Sequence, residues 1–179
     1  MAAVSLRLAR PGETDALRDV IEESVFGLGP AAYTRAQLES AMRHVFGVDS
    51  RLIEDGTYSA AEEEGGRLVA CGGWSRRRTL FGGDQYRSRS DDRLDPATEA
   101  ARIRAFFVRP AAARRGIGRR LLDECERAAR AEGFRRLELM ATLMGVALYE
   151  RCGFRPAEPF ELEFPDGVRF PLLRMERDL

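Results

Sequence analysis

The sequence has no lysine; all 29 of its basic residues are arginine. Arginine stays protonated at ordinary pH, so Schiff-base and general-base chemistry through lysine is excluded. A Walker-type phosphate loop, which needs a lysine, is excluded with it. Histidine is nearly absent too, with His44 alone. Cys71, Cys125 and Cys152 lie far apart in the chain, and no pair has ligand spacing, so no metal site is expected. An odd number of cysteines and a first stretch that turns polar within ten residues argue against a secreted, disulfide-built protein. Reduced thiols in a cytoplasmic protein are the expectation. No apolar run approaches the ~20 residues of a membrane span. Basic and acidic residues balance at 29 each, so no overall field points to nucleic acid.

What is present fits one domain, residues 1–179, with a hydrophobic content of 44%. Residues 4–9 alternate as a half-buried strand does. Thr14 stands as N-cap before a helix with Leu17, Val20, Ile21 and Val25 on one face, which GLGP breaks at 27–30. A second helix is expected over 35–45 with Leu38, Met42 and Val45 buried, and His44 on its other side. TYSAAEE, the turn EGG and RLVACGGWS form a hairpin, in which Gly72 and Gly73 mark a bulge or a close backbone approach. Residues 76–100 are polar and turn-rich, long for a loop, and therefore mobile or functional. Then come a strand over 103–108 (IRAFFV), a helix over 117–132 ended by Gly133, a strand over 137–142 and a short helix over 146–151. A hairpin about PDG closes the chain. The order implies an α/β (α+β) fold.

The stretch ARRGIGRRLLDECERAA, residues 113–129, carries the strongest local signal. A helix start presents backbone N–H groups without partners inside the helix, and the helix dipole adds positive character there. Gly116 and Gly118 would let a phosphate approach those amides, with Arg114, Arg115, Arg119 and Arg120 around it. A Rossmann turn needs a third glycine, which is missing. Nucleic acid is disfavoured by Asp123, Glu124 and Glu126 on the same helix and by the lack of interleaved aromatics. An ordinary helix start with solvated arginines is the remaining alternative.

A strand, Arg-Pro, ARRGIGRRLL and, one strand later, LYERCGF together resemble the GCN5-related N-acetyltransferase (GNAT) superfamily. The resemblance covers residues 103–154 well and the whole chain loosely. Ala113 departs from it, standing where glutamine or arginine is usual. It implies a mixed, mostly antiparallel central sheet flanked by helices, with a splayed strand pair that receives the pantetheine arm of acetyl-CoA (coenzyme A). Phe106, Phe107 and Val108 would pair with that arm through their backbone, with an N–H near Phe107 polarising the thioester carbonyl. Arg114, Arg115, Gly116, Ile117, Gly118 and Arg119 would hold the pyrophosphate. Thr142 stands where an asparagine bonds the pantetheine in some subfamilies. Tyr149 would protonate the leaving thiolate, and Glu138 would be the base that frees the amine, with Glu54, Asp84 and Asp95 as other carboxylates.

The implied activity is transfer of acetyl to a primary amine by direct attack. The acceptor is a small molecule or peptide, with no nucleic acid, membrane or metal involved, and homodimers are common in the family. A non-catalytic acyl-CoA-binding or regulatory domain of the same fold is the alternative. Beside these roles stand plainer ones. Tyr149 also suits the core of a short helix, and Cys152 a small buried hydrophobe. Glu138 suits a solvated strand position. Trp74 and Tyr58 suit packing or an acceptor pocket, and Arg76, Arg77 and Arg78 a solvated charge run.

Overall fold

A computed structural model describes residues 3–179. Within them the strands are β1 (Val4–Leu8), β2 (Tyr58–Glu63), β3 (Leu68–Ser75), β4 (Ala101–Val108), β5 (Arg136–Thr142), β6 (Arg155–Glu163) and β7 (Arg169–Asp178). They form one sheet in the order β1-β2-β3-β4-β5-β7-β6. Every pairing is antiparallel except β4 with β5. The helices are α1 (Thr14–Leu28), α2 (Arg35–His44), α3 (Ser50–Glu54), α4 (Ile117–Ala131) and α5 (Val146–Arg151). The mixed, mostly antiparallel sheet with flanking helices is the expected architecture.

The helices cover both faces. Leu17, Val20 and Ile21 of α1, Leu38 and Ala41 of α2 and Leu52 of α3 pack with Tyr58, Cys71, Phe107, Phe170 and Leu172 on one face. On the other, Leu122, Cys125 and Ala129 of α4 and Tyr149 of α5 pack with Ile103, Leu137, Leu139 and Met175. Each fully buried leucine or isoleucine contributes about 1.5–3 kcal/mol relative to exposure. The apolar stripe of α4 therefore pins its N-terminus firmly beside the sheet.

Several local expectations change. Thr14 is the first residue of α1 rather than its cap; the helix grows out of a 3-10 turn, Pro11–Glu13, and its cap position is Glu13. A capping box lies at α2, where Thr34 and Gln37 bond reciprocally. His44 stacks on Phe164 and lies 3.6 Å from Asp166, both in the turn between β6 and β7 far along the chain. Residues 76–100 are tied down by a short antiparallel bridge between Arg77 and Arg93 and by flanking bonds from Arg78 to Asp92 and from Leu94 to Arg76.

Candidate active site

β4 and β5 pair at only two positions, Ala101 with Leu137 and Arg102 with Glu138. Beyond them the strands splay. β4 also carries a bulge: Cys71 faces Phe107 and Gly73 faces Arg104, so Ala105 and Phe106 together oppose Gly72. Ala105 takes a positive φ of 54°, and its carbonyl accepts a bond from the Tyr58 hydroxyl at 3.1 Å. Gly72 must be glycine, because a Cβ there would stand 2.7 Å from the Phe106 ring. The two-glycine stretch thus serves both a bulge and a close approach, here of a side chain.

The splay opens a cleft of about 80 Å³ through the sheet, room for about two or three waters at ~30 Å³ each. Ile103, Phe106, Leu139 and Tyr149 line it from the α4 and α5 face; Phe46, Phe81, Phe107, Met140 and Leu172 line it from the other. Thr142 lines it as well. The Val108 amide is already committed, donating to Ser24 Oγ at 3.2 Å. The Phe107 amide faces the buried Cys71 thiol, whose pKa burial pushes up to about 12.

Beside the splayed pair, Gly116 caps α4 in the left-handed region (φ 75°) and Arg114 before it is also left-handed (φ 61°). A non-glycine residue there costs about 1–2 kcal/mol, so the turn's shape is imposed by its surroundings. Arg120 is the first residue whose amide bonds back along the helix, to Gly116 at 3.1 Å. The amides of Ile117, Gly118 and Arg119 are left without helical partners. Ile117 is buried and anchors the turn. A Cβ at Gly116 would meet nothing within 4 Å, and one at Gly118 only Leu148, at 3.1 Å. The backbone here is open to an anion. The arginines divide: Arg114 and Arg119 are exposed, Arg115 pairs with Glu63 at 2.7 Å, and Arg120 donates to the Val4 carbonyl at 3.0 Å.

Tyr149 is 8% exposed. Its ring sits edge-on to Phe106 and Phe154, and no hydrogen bond engages its hydroxyl among the described residues. Burial pushes its pKa well above the ordinary value near 10. Glu138 is not brought to it. Glu138 lines a different cavity of about 270 Å³ at the paired end of β4 and β5, where Arg102 and Arg174 both bond its carboxylate. The structure therefore replaces the free strand carboxylate expected at Glu138 with one clamped between two guanidinium groups. The other carboxylates are similarly committed: Glu54 to Arg51, Asp84 to the amide and hydroxyl of Ser50, and Asp95 to Ala97 and Thr98. Tyr58 and Trp74 are buried and pack within the core. Arg76, Arg77 and Arg78 pair with Glu132, Asp55 and Glu99, so that run is not simply solvated.

One feature of the cleft has no local sequence signal. Arg104, only 3% exposed, donates from Nη2 to Asp49 (2.7 Å) and to the Gly82 carbonyl (2.7 Å), and from Nη1 to the Thr79 carbonyl (2.8 Å). Arg89 bonds the second oxygen of Asp49 at 2.8 Å. This cluster fastens residues 79–89 over the cleft. Burial lowers the Arg104 pKa to about 10, and Asp49 opposes that fall.

The family model described as Acetyltransferase (GNAT) family matches residues 22–154. Among solved structures, a GCN5-related N-acetyltransferase from Rhodopseudomonas palustris is 18% identical with a TM-score of 0.71, covering 100% of this chain and 98% of that one. The PaiA N-acetyltransferase from Thermoplasma acidophilum in complex with coenzyme A is 14% identical with a TM-score of 0.68, covering 99% of each. YncA from Salmonella typhimurium with its cofactor acetyl-CoA is 17% identical with a TM-score of 0.64, covering 99% of this chain and 94% of that one. At these identities the likeness is one of fold. No curated protein matches the sequence. Among the described residues no helix is long and apolar enough to cross a membrane, and no cluster of His, Cys, Asp and Glu could hold a metal.

Proposed function

Because the chain belongs to the acetyltransferase (GNAT) family, we propose that it transfers acetyl from acetyl-CoA to the primary amine of an acceptor by direct attack. The observation that carries this reading is the cleft through the sheet. It has an anion-ready helix turn beside it and an unbonded, protonated phenol in its wall. The residues fit the cofactor: the amides of Ile117, Gly118 and Arg119 would hold its pyrophosphate, with Arg114 and Arg119 adding charge. The splayed edge of β4 would pair with the pantetheine arm, and Thr142, which lines the cleft, would bond that arm. Bound acetyl-CoA supplies an acetyl group as a thioester open to a neutral amine.

The chain's own part is to orient, polarise and return a proton. An N–H of that splayed edge near Phe107 would donate to the thioester carbonyl oxygen. Tyr149 would protonate the departing thiolate from its hydroxyl. No carboxylate is among the described residues that line the cleft. The amine's proton would therefore leave through water in the cleft rather than through Glu138. That missing carboxylate is also what favours the second reading, a non-catalytic acyl-CoA-binding or regulatory domain.

Calorimetric titration tests the cofactor assignment. Acetyl-CoA should bind one site with a dissociation constant between about 1 μM and 1 mM, the usual range for enzyme substrates. No saturable heat in that range would overturn both readings.

A further inference from the structure

The lining of the cleft says what kind of amine it suits. On the face away from α4 it is built from Phe46, Phe81, Phe107, Met140 and Leu172. The aromatic rings are held by one another: Phe46 stands edge-on to Phe107 at 5.7 Å, and Phe81 lies 4.9 Å from Tyr86. Among the described lining residues the one formal charge is Arg104, whose guanidinium is already bonded to Asp49, Thr79 and Gly82. Near the lining residues in the chain, Glu138 is clamped by Arg102 and Arg174, and Glu150 is exposed on α5 outside the lining. Asp49 is held by Arg104 and Arg89, and Asp84 by Ser50.

We propose that the acceptor is a monoamine with an apolar body, aliphatic or aromatic, and that the site discriminates against amines carrying a second charge of either sign. The inference rests on the acetyl-transfer reading above and names its substrate class. A second ammonium would be desolvated with no carboxylate free to pair with it. A carboxylate would find no uncommitted cation. The apolar wall also bears on the chemistry. Low polarity disfavours the ammonium and favours the neutral amine, which is the form that attacks. An apolar acceptor site thereby supplies part of what a missing carboxylate base would do.

The test is a thiol-release assay on the wild-type protein with acetyl-CoA and four amines: pentylamine, phenethylamine, 1,5-diaminopentane and 5-aminopentanoate. Pentylamine and the two charged analogues share chain length, and all are simple alkylamines with ammonium pKa values near ~10, so differences report the site rather than the nucleophile. The expected result is kcat/KM for pentylamine and phenethylamine at least about 30-fold above that for either charged analogue. Equal or better turnover of the diamine or the amino acid would overturn the inference and leave the acetyl-transfer reading standing. Binding of acetyl-CoA with no amine-dependent release from any of the four would also overturn it. Failure of acetyl-CoA to bind in the titration would instead remove the reading on which it rests.

Discussion

A tyrosine is already protonated at neutral pH, and burial of Tyr149 among Phe106, Phe154 and the core keeps it so to higher pH by disfavouring the phenolate. As the proposed proton donor it would therefore stay loaded below about pH 10 and would not limit the rate on the alkaline side there. Removing only its oxygen should separate chemistry from binding. Tyr149→Phe is expected to lower amine-dependent thiol release about 100-fold, in the range of general-acid contributions, while the acetyl-CoA dissociation constant shifts less than about twofold. A parallel loss of both would make the tyrosine a packing residue. Glu138 makes the opposite point. A carboxylate on a strand looks available in the sequence, yet here Arg102 and Arg174, which are distant in the chain, occupy it.

At the scale of elements, α4 joins the core to the site. Its stripe of Leu121, Leu122, Cys125 and Ala129 is buried, while its first turn is held open by the left-handed Gly116. Both were legible in the sequence, because glycine placement and helical spacing are local signals. So were most strands and the closing hairpin. The bulge was half legible: Gly72 and Gly73 flagged it, but Phe106 as the reason for Gly72 was not foreseeable from spacing. The Arg104–Asp49 cluster was illegible, since its members are 55 residues apart and join only when β4 meets the start of α3. Gly118→Glu tests the open turn. A glutamate suits a helix N-terminus electrostatically, and the close neighbour of its Cβ is the end of the half-buried, flexible Leu148. The variant should keep its far-UV spectrum and thermal midpoint while acetyl-CoA binding weakens at least about tenfold, by like-charge repulsion at the anion site. An unchanged dissociation constant would place the pyrophosphate elsewhere.

For the whole molecule, the buried acids set a window of stability. Burial raises the pKa of Tyr33 to about 12 and of Cys71 to about 12, and raises those of Tyr58, Tyr149 and Cys125 as well. The unfolded chain releases these protons above about pH 9–10 while the folded chain keeps them, so stability falls as pH rises through that range. Arg104, lowered to about 10, acts in the opposite sense above that pH but is one group against five. On the acid side, the bond from Arg7 holds Glu13 below its ordinary value and the bond from Arg77 does the same for Asp55. Their contribution is present above the ordinary carboxylate pKa and is lost as pH falls below about 4.5. Thermal midpoints measured against pH should therefore show a plateau from about pH 5 to 8.5 with a fall on each side. A midpoint still rising from pH 9 to 10 would contradict the burial of the tyrosines and thiols. The proposed activity is direct transfer of acetyl from acetyl-CoA to an amine at the cleft between β4 and β5. The most direct measurement follows free thiol and acetylated pentylamine together in one reaction. Thiol and acetylated amine should appear one for one, and only when acetyl-CoA, amine and protein are all present. Thiol released at the same rate with and without amine, from a protein that binds acetyl-CoA, would show a binder and not a transferase.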